Sequence, residues 1–164
     1  MDGRGSCENL KNYIVIASDH AGFSLKEHLK KVLVNLGYEV KDLGTYTSQS
    51  VDYPDYASML AGGVSRGEYP RGILVCGTGI GMCMVANKFR GVRAALCWDE
   101  YTAKVSRTHN DSNVLCLGGR VLSFEEAEKI LKIWLREKFE GGRHARRLEK
   151  LKAIERSMEK WVNG

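Results

Sequence analysis

Gly72-Ile73-Leu74-Val75-Cys76-Gly77-Thr78-Gly79-Ile80-Gly81-Met82 is the stretch on which the fold turns. Ile73, Leu74 and Val75 form a short, wholly apolar, largely β-branched run, which suits a strand buried on both faces of a parallel sheet. The run ends at Cys76, glycines follow at 77, 79 and 81, and Met82–Lys88 then has helix length with a polar end. Strand, glycine turn and helix together aim a row of free backbone N–H groups at one point. An anion, or an oxygen acquiring negative charge, is stabilised there, and Cys76 stands at its rim. A dinucleotide fingerprint requires G-x-G-x-x-G; here the third glycine comes one residue early and Met82 occupies its place. Asp99, about twenty residues on, is positioned either as the ribose-binding acid of such a fold or as a helix cap. The plainest alternative makes the glycines a tight turn and Cys76 a small core residue.

Outward from this stretch, strands and helices alternate. Tyr13–Ala17 reads as a first strand, and Ser18-Asp19-His20-Ala21-Gly22 breaks it. A helix carrying Leu25, Leu29, Val32, Leu33 and Leu36 follows, for which Ser18 or Asp19 is a candidate cap. Tyr38–Leu43 is a weaker second strand, and Pro54 fits the first turn of a helix running to about Arg66. Gly91–Cys97 is the fourth strand, Glu100–Thr108 a helix, and Asn113–Leu117 the fifth strand. An amphipathic helix over Phe124–Phe139 and, beyond Glu140-Gly141-Gly142, a last helix from Arg143 to Trp161 complete the pattern. Five βα repeats predict a five-stranded parallel sheet with helices on both faces, an α/β, three-layer Rossmann-like domain over 13–164. The last helix has no strand to follow it, so its apolar stripe calls for a partner subunit.

The chain has 164 residues, enough for one domain with a proper core. Its excess positive charge of +5 lies largely after Lys129 among alternating charges, and no recognition-helix or RNA-binding signature accompanies it, which argues against nucleic acid. No apolar run is long enough for a membrane span, and 1–12 reads as a disordered leader without a secretory pattern. Five cysteines, spread through strand-like segments with no Cys-x-x-Cys pair, argue against disulfides and zinc and for the cytoplasm. Cys7, Cys83, Cys97 and Cys116 read as structural thiols, and His28 as a solvent-exposed helix residue.

Asp19, His20, Cys76, Thr78 and Asp99, with His109 and Asn110 from a loop, form a polar set expected to converge at the carboxyl ends of the strands, more acid–base than redox or metal in character. Arg143 and Arg147 share one helical face beside the Gly141-Gly142 entrance and suit a phosphate.

Ser18-Asp19-His20-Ala21-Gly22, Asp52-Tyr53-Pro54, Cys76–Met82, Asn87–Gly91, His109-Asn110-Asp111, Gly118-Gly119-Arg120 and Glu140–His144, in this order, resemble the type B ribose-5-phosphate isomerases. That family also contains galactose-6-phosphate and allose-6-phosphate isomerases. The resemblance covers about residues 13–155 and implies a metal-free, cofactor-free aldose–ketose isomerase of the non-oxidative pentose phosphate pathway, acting through an enediol(ate). By similarity, Cys76 is the base that takes the C2 proton, and an N–H-rich helix entrance favours thiolate over thiol. Relatives with serine there use a glutamate four residues later, a position held here by Ile80. The resemblance further implies that Gly77, Thr78, Gly79 and Gly81 give N–H groups to the enediolate oxygen, and that the Thr78 hydroxyl donates there or relays a proton. It makes His109 the ring-opening acid or base and puts Asp19 near the ring oxygen. It leaves Asn110 and Tyr53 to the sugar hydroxyls, and Arg143, Arg147, His20 and Arg120 to the phosphate. Family sites form between subunits, which implies a homodimer or a tetramer made of two dimers. Hexose-6-phosphate isomerisation and a non-catalytic sugar-phosphate-binding module are the alternatives; the retained Cys76 and His109 speak against the latter. His144 lies within a matching box and has no role from sequence.

Overall fold

The computed structural model of the chain describes residues 12–162, with side chains to 158. Five strands, β1 (Tyr13–Ser18), β2 (Glu39–Asp42), β3 (Gly72–Cys76), β4 (Ala94–Leu96) and β5 (Val114–Gly118), form one sheet in the order β2-β1-β3-β5-β4. Every neighbouring pair is parallel. The helices are α1 (Phe23–Asn35), α2 (Tyr53–Ser65), α3 (Ile80–Ala86), α4 (Glu100–Thr108), α5 (Phe124–Arg136) and α6 (Arg143–Val162).

Strand alternation divides the core in two. Ile14, Ile16, Ile73, Val75, Leu115 and Leu117 pack with Leu25, Leu29 and Leu33 of α1, Ala103 of α4, and Ile130, Leu131 and Trp134 of α5. Their neighbours Val15, Ala17, Leu74, Cys76, Val114 and Cys116 face the other way, onto Ala57, Leu60 and Ala61 of α2 and Met82 and Ala86 of α3. This is the three-layer arrangement that the apolar strands require: β1, β3 and β5 are sealed on both faces, and each fully buried Leu or Ile contributes about 1.5–3 kcal/mol. Because β1 leads outward to β2 on one side while β3 begins the other half, the sheet has its switch point between β1 and β3. In open parallel sheets, ligands bind outside the carboxyl ends of the strands at such a point.

Several boundaries differ from expectation. The fourth strand shrinks to three residues, because side chains take over its backbone partners. Asn87 bonds both the N–H and the carbonyl of Ala94, and Asn113 Oδ1 accepts the Arg93 N–H. The helix after the glycine loop starts at Ile80 and ends at Ala86. The fifth helix stops at Arg136; the segment beyond it is drawn away to α4, where the Glu140 N–H donates to the Thr108 carbonyl at 3.0 Å. At the head of α1 the cap position is Gly22, not Ser18 or Asp19. Asp19 instead folds the preceding loop by accepting the Gly22 N–H at 3.0 Å. Pro54 stands in the first turn of α2 as expected. His28 is half-buried, stacked on Phe124 at 4.6 Å and 3.4 Å from Glu128, rather than solvated. The leader expected over 1–12, Asn12 apart, and Cys7 lie outside the described residues.

Beneath the β1–β2 edge, Lys26 is fully buried and bonds both oxygens of Asp42 at 2.7 and 2.6 Å. Burial pushes the Asp42 carboxyl up, but hydrogen bonds from Lys26, Lys30 and the Gly44 N–H outweigh it and leave the group below its usual range.

Candidate active site

At the carboxyl edge three loops meet backbone to backbone. A Cβ on Gly22 would lie 2.3 Å from the Val75 carbonyl oxygen, one on Gly118 2.8 Å from that of Thr78, and one on Gly119 2.9 Å from that of Ala21. Only hydrogen fits at these places, so the ends of β1, β3 and β5 close into one unit. Cys76 ends β3 and is almost completely buried. The chain turns at Gly79, whose φ of +79° caps α3, and this turn points the Gly79 N–H at Cys76 Sγ, 3.1 Å away. The Thr78 Oγ1 accepts the Ile80 N–H at 3.3 Å. The glycine loop thus sets one backbone amide, that of Gly79, against the sulfur at the head of α3.

Around it stand Asp19, buried; His20, its Nδ1 bonded to the Val51 backbone; and Tyr53, whose ring lies against Gly81 so closely that a Cβ there would come within 2.6 Å. Arg120, held by its own N–H to the Gly77 carbonyl at 2.9 Å, passes over Gly77. Asp19, His20, Tyr53, Cys76, Gly77, Thr78, Gly79, Gly81 and Arg120 are therefore together. Asp99 is not among them. Its carboxylate accepts the Thr102 N–H at 2.7 Å in a capping box at the start of α4, which is the cap reading.

His109, Asn110, Arg143 and Arg147 are not among them either. Helices following the strands of a parallel sheet run back along it, so α4 carries His109 and Asn110 to the amino edge. Asn113, just beyond, bonds Gly72 at the first residue of β3, and Arg93 at the foot of β4 holds the Asn110 and Asp111 carbonyls. The five residues of β3 alone separate that edge from Cys76 by roughly 13 Å at ~3.3 Å per step. The expected single convergence is thus two half-sites on opposite edges of one sheet.

The amino-edge half is closely built. His109 ends α4 and stacks on His144 of α6, ring centroids 4.1 Å apart and planes 9° from parallel. His144 is buried, and burial, followed by the His109 and Arg143 charges, pushes its imidazole below the ordinary histidine value, against Glu140. Asp111 adopts a left-handed φ of +45°. Arg93 and Arg107 hold its carboxylate at 3.2 and 3.1 Å. The Arg107 and Arg71 guanidiniums each lie over a face of Trp134, at 5.5 and 5.6 Å. The clamp on Asp111 and the stack behind His109 have no reading from sequence, where Asp111 and His144 are legible only as members of matching boxes and Asp111 as a residue tolerant of positive φ.

His109, Glu140 and His144 bring three potential ligand atoms within 4.8 Å of one another. Nitrogen lone pairs lie in the ring plane, however, and two nearly parallel rings direct theirs side by side rather than at a common ion. Cys83, on α3, is held down at about 7 by its contact with Cys116. Its sulfur meets the Ala94 carbonyl at 3.5 Å, away from the glycine loop, so Cys76 is the thiol of the site. An apolar recess of about 220 Å³ adjoins Thr78, lined by Ile80, Leu96, Trp98 and Val121; it has no charged lining and does not suit a phosphate.

Comparison with known proteins gives a consistent picture. A family model described as Ribose/Galactose Isomerase matches residues 14–151. Ribose-5-phosphate isomerase B of Escherichia coli is 49% identical over 142 residues, covering 87% of this chain and 95% of that protein. Among solved structures, ribose-5-phosphate isomerase B of Clostridium thermocellum superposes with a TM-score of 0.87 at 47% identity, over 89% of this chain and 99% of that one. The Mycoplasma genitalium enzyme, solved with bound ribulose-5-phosphate, gives 0.84 at 44% identity, over 88% and 96%.

Proposed function

Because the chain belongs to the ribose/galactose isomerase family, we propose that it is a sugar-phosphate isomerase interconverting ribose 5-phosphate and ribulose 5-phosphate. The observation that carries the reading is Cys76 Sγ accepting the Gly79 N–H at the head of α3, in a chain so similar to ribose-5-phosphate isomerase B. Cys76 removes the proton from C2 of the opened aldose. The electrons move onto the aldehyde oxygen, and the amides of Gly77, Thr78, Gly79 and Gly81 face that developing charge. The proton returns at C1 while the C2 hydroxyl passes its own proton to the C1 oxygen, giving the ketose. Asp19 and the Thr78 hydroxyl serve the oxygens, and Tyr53 and Asn110 the sugar hydroxyls. His109 opens the ring. His20, Arg120, Arg143 and Arg147 hold the phosphate. The reaction is internal to the sugar, and these residues account for each proton in it.

The two half-sites work together only across a subunit boundary: the amino edge of one chain must face the carboxyl edge of another. Exposed apolar residues support such a contact at both places, Ile80, Trp98 and Val121 beside the glycine loop and Leu151, Ile154 and Met158 along α6. We therefore read the protein as a homodimer, or a tetramer made of two dimers, of the cytoplasm; none of its described helices is long and apolar enough to cross a membrane. That one chain carries both halves favours the pentose enzyme over isomerases built from two unlike subunits.

The test is ribose 5-phosphate isomerisation by Cys76→Ala, His109→Ala and their mixture, refolded together. Each variant alone falls by about 10²–10⁴-fold. Random pairing then restores about a quarter of the wild-type sites, since half the dimers are mixed and each holds one intact site. A mixture no more active than its parts refutes the shared site, and wild-type protein without turnover refutes the function.

A further inference from the structure

His144 is the best-built residue of the amino-edge half with no part in the reaction as drawn. It sits in the first turn of α6, entered through Gly141 and Gly142, both at positive φ (69° and 57°). Two backbone bonds set its height: His144 N–H to the Gly141 carbonyl at 3.1 Å, and Glu140 N–H to the Thr108 carbonyl at 3.0 Å, which ties the turn to the end of α4. The result is a buried imidazole lying flat on His109 at 4.1 Å.

Resting on the reading that His109 opens the sugar ring, we propose that His144 is a positioning residue for that step: its ring fixes the plane of His109 and lends its π face to the imidazolium that His109 becomes. Rings stacked face to face direct their N–H groups in parallel planes, so His144 cannot pass a proton to His109. A neutral aromatic face against a cation is attractive, and a wall 4.1 Å behind His109 stops it turning about its last side-chain bond. The charged groups around the stack are Glu140, whose carboxylate oxygen is 3.8 Å from His144 Nε2, with Arg143 and Arg147 on α6. Burial and the neighbouring cations keep His144 the neutral member, the role that the stack requires of it.

The experiment compares His144→Phe with His144→Gln in ribose 5-phosphate turnover, with thermal melts of both. Phenylalanine keeps the aromatic face and loses both nitrogens; glutamine keeps polarity and loses the face. Phe is expected to hold kcat within about threefold of wild type. Gln is expected to lose about tenfold in kcat with KM changed less than twofold, because a misplaced ring costs the chemical step and not binding. In ¹³C-edited spectra the His144 ring of the wild-type protein stays neutral to below 6.5, the ordinary histidine value. Full kcat in Gln, or a loss in Phe as deep as in Gln, overturns the inference while wild-type turnover keeps the function intact. Wild-type protein without turnover overturns both.

Discussion

Replacing Gly79 by alanine tests whether the close-packed loop is what holds the amide against Cys76. Two costs arise there. Gly79 has φ +79°, where an L side chain is strained by ~1–2 kcal/mol, partly offset by ~0.4–1 kcal/mol from a less disordered unfolded chain. The new Cβ would also fall 2.6 Å from Leu96 Cδ1 and 3.0 Å from the Leu117 carbonyl carbon, and backbone cannot rotate away. Such overpacking costs a further ~1–3 kcal/mol. Gly67 is the control: its φ is +77°, yet nothing lies within 4 Å of its Cβ position. Gly67→Ala is thus expected to lose ~0.5–1 kcal/mol, and Gly79→Ala ~1.5–4 kcal/mol. For a chain of this size that is a Tm lowered by roughly 1–4 °C against 3–16 °C. Turnover should separate the two further, since losing one aimed N–H costs about 10²-fold in Gly79→Ala and nothing in Gly67→Ala. Equal melting temperatures would refute the close approach, and full turnover in Gly79→Ala would refute the role of its amide.

Asp111→Asn keeps a residue tolerant of positive φ and removes the charge held by Arg93 and Arg107, so it should lose ~1 kcal/mol. Asp111→Val adds a β-branched residue at that φ and should lose ~3 kcal/mol; equal losses in urea denaturation would refute the strain at this position. Lys26→Met leaves Asp42 its bonds to Lys30 and Gly44, whereas Asp42→Asn leaves a fully buried ammonium with only the longer 3.4 Å contact to the Glu27 carboxylate. Of the ~3–5 kcal/mol that breaking a buried pair costs, Asp42→Asn should take the upper end, and the reverse order would count against the pairing. Asp42 is held below its ordinary 3.8, so its contribution is complete above that pH and lost as pH falls through the folded value. Acid melts of Asp42→Asn should accordingly be flatter below about pH 4 than those of wild type, and parallel curves would refute the linkage.

The parts of this structure legible in sequence are those that burial writes into composition. β1, β3 and β5 show themselves as unbroken apolar runs because both their faces are covered, and α4 and α5 announce their starts by Asp99 and Ser123, which both form capping boxes. The Cys76 loop was readable because glycines at 77, 79 and 81 answer a geometric need. β4 is shorter than its run of residues suggests because Asn87 and Asn113 replace strand partners with side chains, an exchange with no periodicity. The misplaced convergence of His109 and Asn110 has a different origin. Each was correctly put after α4, but a helix that follows a parallel strand returns to the strand's beginning, and the residues after it inherit that edge. His144 is legible only as a member of the Glu140–His144 box, without a role, because a face-to-face ring contact depends on where α4 and α6 end relative to each other, which no spacing within either helix encodes.

On the proposed shared site, the placement of Cys76 and His109 on opposite edges also sets how the enzyme responds to its own abundance. A chain that met no partner would keep its sheet, its two cores and both half-sites intact and still turn over nothing. Activity per chain would then follow the fraction dimerised, and at high dilution the total rate would rise with the square of protein concentration rather than in proportion to it. An assay run at a single low enzyme concentration would report a poor catalyst, where the same chains at tenfold higher concentration would report a better one.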